Sequence, residues 1–249
     1  MKQAQHLLFV FLLLATFSIN AQVGIGTTTP AASAQLDVSS TTKGFLPPRL
    51  SFTQRDAITP AEGLMIYNTD TKKPNYFDGT GWKNFDGTSA AFAIGISIQG
   101  GILAYILQPG DPGYIAGQTH GLIAAASDQS VGAEWGCFGT VIPGADGTAL
   151  GTGNQNTIDI MAGCATAGIA ARICGDLALN GFSDWYLPSK DELNKLYINR
   201  LVVGGFTSEL YWSSSEIDSN NAWFQFFLNG LQNLDVKSSA NHVRAVRAF

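Results

Sequence analysis

The run from Gly181 to Leu193 fixes where one helix must begin, and this constrains how the second half of the chain can fold. Ser189 and Glu192 have the spacing of a capping box, in which each side chain satisfies a backbone donor of the other. Asn180-Gly181 indicates the end of a preceding helix, because glycine readily takes the left-handed conformation of a helix stop. The sequence therefore predicts one helix that ends just before this run and a second helix that begins within it.

Strand patterns flank these helices. Two stretches before them and three after them are predicted to be strands, and Asn229-Gly230 is typical of a hairpin turn. The predicted strands are 100–107, 119–125, 211–215, 222–227 and 243–249, and the other predicted helices are 156–163, capped by Asn154 or Asn156, and 169–179. Helices grouped between strands that pair with each other predict an α+β domain, closed by its final strand.

Residues 1–21 have the features of a secretory signal peptide. Lys2 is followed by an apolar core over residues 7–17, which is too short to span a bilayer, and cleavage is expected after Ala21. No later stretch has the roughly 18 apolar residues of a membrane helix. We therefore expect a secreted or cell-surface protein whose mature chain has no membrane span.

The charge balance limits the classes of partner. The chain has a formal net charge of −5, and only 13% of its residues are charged. An acidic chain with a signal peptide is a poor candidate for binding nucleic acid. The 28 glycines indicate instead a loop-rich extracellular fold.

Residues 22–92 form a β-rich unit with little apolar mass. Pro47-Pro48 imposes an extended backbone, and Asp78-Gly79 predicts a hairpin turn. The segment resembles the N-terminal module of secreted proteins from Bacteroidetes-type bacteria, which is similar to the stalk and collar of trimeric tail fibres. The resemblance implies a homotrimer in which short strands share one core, since alone the segment would hardly fold. A flexible spacer is the alternative.

Residues 93–249 form the predicted head. The run 181–193, the segment Tyr211–Glu216 and the terminal Val243–Phe249 resemble the C-terminal domain of the Legionella collagen-like adhesin. The order of elements is also similar to C-type-lectin-like and formylglycine-generating-enzyme-like folds. The family resemblance implies a display or binding protein, and members of that family are implicated in binding sulfated glycosaminoglycans.

Candidate ligand-binding residues lie on the predicted strands near the C-terminus and in the loop between two of them. Tryptophan rings can stack on sugars, clustered carboxylates and amides can bind hydroxyls, and cations can bind sulfates. The candidates are Trp212, Glu216, Asp218, Asn220, Trp223, Lys237 and Arg244. The alternatives are core packing for the tryptophans, a solvated loop for residues 216–221, and pairing of Arg244 and Arg247 with Asp184, Asp191 or Glu192.

Three cysteines permit one disulfide. Cys164 and Cys174 are the candidate pair because they close the shorter loop, provided that the helix breaks near residues 165–168. On one continuous helix they would be about 15 Å apart, which is beyond the reach of a disulfide. Cys137 would then remain free.

Catalytic motifs are missing from the sequence. It contains no metalloprotease, serine-hydrolase, phosphate-loop or dinucleotide signature. His120 and His242 are interpreted as solvated or core-edge residues, and Trp185 as a core residue. We therefore expect no enzyme activity, no cofactor and no metal.

The sequence thus predicts an adhesin-like protein whose head binds a surface polysaccharide or host glycan. One alternative is a structural fibre cap or protein-interaction module without catalytic activity. The other is a modifying enzyme on a formylglycine-enzyme-like scaffold.

Overall fold

The computed structural model describes residues 22–249, so the predicted signal peptide lies outside the described residues. The chain forms two compact units, which divide between Pro47 and Pro48. The second unit contains both the rest of the predicted stalk and the whole predicted head. The division into stalk and head at residues 92 and 93 stays a prediction.

The first unit contains a two-stranded parallel sheet of β1 (Val23–Ile25) and β2 (Leu36–Val38). Val23 pairs with Leu36 and Ile25 pairs with Val38, so alternation places these four side chains on one face. Between 42% and 55% of each of these residues is exposed. We call these four residues the stalk face. Within residues 22–47 it is an apolar surface that is not buried.

The second unit begins with a four-stranded sheet in the order β3-β4-β5-β6. Its strands are β3 (Arg49–Leu50), β4 (Met65–Asn68), β5 (Lys73–Phe77) and β6 (Trp82–Asn84). The short helix α1 (Phe52–Asp56) follows β3. Strands β5 and β6 are antiparallel, and the Asp78 carboxylate accepts from the Gly81 amide between them. The predicted Asp78-Gly79 hairpin is therefore confirmed.

The head contains two further sheets. The four-stranded sheet has the order β15-β9-β8-β7, and the five-stranded sheet has the order β10-β14-β11-β12-β13. The first consists of β7 (Ser97–Ile98), β8 (Gly101–Ile106), β9 (Gly121–Ala124) and β15 (Val246–Ala248). The second consists of β10 (Ser130–Ala133), β11 (Leu210–Glu216), β12 (Asn221–Phe226), β13 (Gln232–Val236) and β14 (Asn241–Val243).

The four helices of the head lie between these strands in the sequence. They are α2 (Gly153–Gly163), α3 (Ala170–Gly175), α4 (Lys190–Ile198) and α5 (Arg200–Val203). Strands on both sides of a group of short helices are compatible with the predicted α+β class. The predicted capping box is also confirmed, because Ser189 and Glu192 satisfy each other's backbone donors at the start of α4.

Three sequence predictions in the head need correction. Helix α2 begins after Thr152 without a side-chain cap, because the Asn156 amide bonds to Gly147 and Ser214 instead. Helix α3 ends at Gly175, since Asn180 and Gly181 form a tight turn with φ values of 53° and 85° rather than a helix stop. The predicted final strand is divided, with β14 in the five-stranded sheet and β15 in the other.

The disulfide joins Cys137 to Cys164, with their Cα atoms 5.8 Å apart. The expected pair of Cys164 and Cys174 is therefore corrected. The chain does break between the two helices, but Cys174 lies in α3 with its side chain in the head core and remains a free thiol. Burial raises the pKa of this thiol, which makes the reactive thiolate rare.

Removing the Ser189 cap should destabilise the head measurably. The Ser189 hydroxyl accepts from the Glu192 amide, donates to the Ala149 carbonyl and is fully buried. We expect Ser189→Ala to lower the free energy of unfolding by about 1–2 kcal/mol in urea denaturation. Ser51→Ala, at the equivalent cap of the short helix α1, is the matched control and should cost less. Equal losses of unfolding free energy in the two variants would contradict the larger contribution assigned to Ser189.

Candidate functional site

The candidate site built from the structure differs from the predicted one, because the cations near the C-terminus are buried. Lys237, Arg244 and Arg247 are 0%, 1% and 6% exposed. Each one is paired with a carboxylate, so none of them presents a free positive charge. The head therefore lacks the cationic surface that the predicted role of Lys237 and Arg244 requires.

Lys237 and Glu216 form a buried ion pair. The Lys237 ammonium also donates to the Thr140 carbonyl and lies 4.6 Å from the centre of the Trp135 ring. The Glu216 carboxylate accepts the Ile142 amide with both oxygens. Both charged groups have partners inside the protein, so both predicted ligand residues are reassigned to the core.

Arg244 and Arg247 both pair with carboxylates, as the alternative to ligand binding expects, but the partner of Arg244 is a different residue. Arg247 bonds to Asp184 at 2.7 Å, and this hydrogen bond lowers the pKa of Asp184. Arg244 bonds instead to Asp128 at 2.6 Å, and it also donates to the Ala125 carbonyl. Asp128, which the sequence reasoning had not singled out, therefore neutralises the cation predicted to bind ligand.

Trp212 and Trp223 lie on opposite faces of the five-stranded sheet. Trp212 pairs with Phe224 of β12, the neighbour of Trp223, and adjacent residues of a strand point to opposite faces. Trp212 is completely buried, and its indole nitrogen donates to the Ala133 carbonyl. Trp212 is therefore a core residue and is removed from the candidate site.

Asp218 stabilises the turn between β11 and β12. Its carboxylate accepts from the backbone amides of Asn220 and Asn221 and from the Asn221 side chain. The backbone bond from Asn220 is the main cause of the lowered pKa of Asp218. The Asp218 side chain is exposed, but the turn already uses its oxygens. Asn220 is also exposed, and its hydrogen bonds within residues 22–249 are made by its backbone: the amide donates to Asp218 and the carbonyl accepts from the Lys237 amide.

The remaining aromatic residue, Trp223, lies on the outward side of the hairpin β12–β13. It is directly opposite Leu234, and Asn221 is opposite Val236. The Lys190 ammonium lies 4.3 Å from the centre of the Trp223 ring. We call this surface the outer face; it consists of Lys190, Asn221, Trp223, Gln232, Leu234 and Val236.

The outer face combines an indole ring with amide groups and one ammonium. Its residues are half-buried or exposed, with Leu234 and Val236 at 38% and 40%. Gln232 donates to the Lys190 carbonyl, which links β13 to the first turn of α4. An indole beside amide donors and acceptors can contact the apolar face of a sugar while bonding its hydroxyls.

Trp223 is one of the predicted site residues, and the other five residues of this surface are not. The Asn229-Gly230 turn indicates that the strand after it pairs with β12. This pairing is the signal that could have placed Leu234 and Gln232 beside β12. Lys190 is the first residue of α4, and sequence spacing gives no information about contact between a helix and a strand far along the chain.

The histidines have protein partners. His120 bonds to the Phe249 carbonyl and to Gln118, and His242 bonds to Asp128. Over residues 22–249 no group of three or more His, Cys, Asp or Glu side chains is arranged to hold a metal. No helix in that part of the chain is long and apolar enough to cross a membrane.

Comparison with known families matches two regions of the chain. Residues 24–96 match the phage tail like trimerisation region, and residues 126–247 match the Lcl C-terminal domain. No curated protein matches the chain significantly. Both resemblances inferred from sequence motifs are therefore confirmed: residues 24–96 are similar to the phage tail like trimerisation region, and residues 126–247 are similar to the Lcl C-terminal domain.

Proposed function

We propose that the chain is an adhesin-like protein of the cell surface or its surroundings, whose head binds a neutral glycan through the outer face. The two matched families support an adhesin-like or fibre module. The observation that carries glycan binding is the position of Trp223, half-buried on an outward surface between Leu234 and Lys190. A C-type-lectin-like arrangement of the head is part of the same proposal.

The charge of the ligand follows from the buried cations. A sulfated glycosaminoglycan needs several free Lys or Arg side chains, and Lys237, Arg244 and Arg247 are all committed to Glu216, Asp128 and Asp184. Lys190 is the one cation of the outer face. We therefore favour a neutral polysaccharide over the sulfated ligands that the family resemblance implies.

A homotrimer is the second part of the proposal. The description of the matched N-terminal region supports it, and so does the stalk face, whose four apolar residues remain exposed in the single chain. Three heads on one stalk would bind a repeating polysaccharide with avidity, because the second and third contacts become intramolecular. Weak binding at each outer face would then suffice.

The test is a glycan array probed with residues 22–249 and with Trp223→Ala. We expect the wild-type chain to bind neutral polysaccharides and Trp223→Ala to lose roughly five- to thirtyfold in affinity, since stacking on an aromatic ring is worth on the order of 1–2 kcal/mol. Val131→Ala, at an exposed position on β10, is the control and should bind normally. Retention on heparin that matches retention on neutral glycans would contradict the proposed ligand class.

A protein-contact module is the alternative, and one observation favours it. Ile198, Leu201 and Val202 are 61%, 87% and 61% exposed on α4 and α5. Clustered exposed aliphatic side chains are typical of protein interfaces. Capture of a defined surface protein that free sugars do not displace, and that Leu201→Glu abolishes, would favour this alternative.

A further inference from the structure

Two adjoining cavities open between the sheet β3–β6 and the sheet that contains β7 and β8. Their volumes are about 570 and 710 Å³, and Asp70, Ile98 and Gln99 line both. Both volumes fall within the range of roughly 300–1,000 Å³ that is usual for small-molecule sites. We call the two cavities together the cleft. It shares no residue with the outer face.

The backbone around the first cavity is unusual. Over residues 22–249, four residues other than glycine have positive φ, and three of them line this cavity: Lys72, Gln99 and Asn180, at 56°, 45° and 53°. Gln99 and Asn180 are each followed by a glycine, as tight turns prefer, but Lys72 is not. Such conformations concentrate where a fold holds groups for a ligand.

Several polar groups of the cleft are held in place but incompletely bonded. The Asn68 carboxamide oxygen accepts from the amides of Asp70 and Thr71, which fixes the turn between β4 and β5. The Thr71 hydroxyl is nevertheless a buried oxygen without a partner. A buried polar group without a partner costs stability, and because this oxygen has no accessible surface it lies beyond the reach of a ligand in the cleft.

The other two polar groups come from Asp70 and Gln99. One oxygen of Asp70 accepts the Phe52 amide at 2.7 Å, and the Gln99 side-chain oxygen accepts from Arg247 at 3.0 Å. Each side chain is therefore oriented by one bond. The second Asp70 oxygen and the Gln99 amide nitrogen have no hydrogen bond within residues 22–249, so the cleft offers both an acceptor and a donor.

The second cavity adds an aromatic surface. Phe52, Phe92 and Phe249 line it, with ring centres 4.9 Å apart for the first pair and 5.9 Å for the second. The acidic and basic side chains that line the cleft, apart from His120, are those of Asp56, Asp70 and Lys72. Two carboxylates and one ammonium disfavour a sulfated ligand. Hydroxyls, amides and aromatic rings suit a neutral molecule rich in hydroxyl groups.

We propose that the cleft binds a short neutral oligosaccharide. Asp70 and Gln99 bond its hydroxyls, and the phenylalanine rings contact its apolar face. The inference rests on the proposed function, in that it takes the ligand to be a glycan, and it adds a second site to the outer face. A chain with both sites would hold a short segment in the cleft and a longer polymer on the outer face.

The test measures binding of maltotriose, cellotriose, mannotriose and triacetylchitotriose to residues 22–249 by titration calorimetry. We expect one or more of them to bind. Ser97→Trp fills the first cavity from an exposed position and should abolish this binding, whereas Val131→Trp, also exposed on a strand, should not. Asp70→Asn keeps an oxygen for the Phe52 amide but replaces the unbonded acceptor, so it should weaken binding about tenfold, as expected for one lost hydrogen bond.

The outcomes separate the cleft from the outer face. Trisaccharide binding that survives Trp223→Ala and is lost in Ser97→Trp supports the cleft. Binding that is lost in Trp223→Ala and survives both cleft variants overturns the cleft and leaves the proposed function intact. Polysaccharide binding on the array without any trisaccharide binding also overturns the cleft alone. No binding of either kind overturns both proposals.

Discussion

Replacing Lys237 by methionine should lower the free energy of unfolding by about 3–5 kcal/mol, which is the usual cost of removing one partner from a buried ion pair. Glu216 would keep its bonds to the Ile142 amide, but its charge would remain in a site that is only 4% exposed. Methionine fills a similar volume, so the loss reports the charge rather than a cavity. Urea denaturation at neutral pH measures it.

Two controls isolate the charge effect. Lys237→Met combined with Glu216→Gln removes both charges, so we expect this double variant to be more stable than the single one. Lys83→Met breaks the half-exposed pair with Asp78 at 3.7 Å and should cost less than about 1 kcal/mol. Equal destabilisation by the single and double variants would show that packing, and not the unpaired charge, determines the loss.

Placing charges on the stalk face should dissociate the proposed trimer. We expect residues 22–249 to have three times the protomer mass by light scattering, and Ile25→Asp combined with Val38→Asp to have the mass of one protomer. Full burial of an aliphatic side chain contributes roughly 1.5–3 kcal/mol, and each protomer offers four such residues. Two aspartates would remove part of this energy and add the cost of burying charge.

The matched control adds the same charge elsewhere in this unit. Thr41 and Thr42 are exposed and lie outside the two strands, so Thr41→Asp with Thr42→Asp should leave the mass unchanged. A monomeric wild-type chain would contradict the trimer, and a trimer that tolerates aspartates at residues 25 and 38 would contradict only the role of the stalk face. The second result would move the contact to another part of the matched region and leave the trimer itself in place.

The sequence predicted well those features that depend on neighbouring residues. The capping box of Ser189 and Glu192 and the hairpins at Asp78-Gly79 and Asn229-Gly230 are set within a few residues, and the structure contains all three. The predicted helix ends were less accurate. Asn156, for example, was expected as a possible cap but bonds to Ser214, outside its own helix. Local patterns gave the α+β class, but not the division of the final strand between two sheets.

The candidate site was harder to predict because burial depends on distant contacts. Lys237 and Arg244 looked like surface cations, yet their partners Glu216 and Asp128 lie 21 and 116 residues away. Trp212 and Trp223 looked equivalent until the register of β11 and β12 placed them on opposite faces. Cys137 similarly meets Cys164 only through the tertiary fold. Spacing along the chain contains none of these relationships.

The division of residues 241–248 between two sheets has a consequence for the order of folding. β14 lies between β10 and β11, and β15 forms one edge beside β9, so neither sheet is complete before this segment joins it. On a ribosome or an export channel, where the chain emerges from its N-terminus, β8 and β9 appear more than a hundred residues before β15. The head should therefore remain open during synthesis and close late, in a step slowed by these long-range pairings.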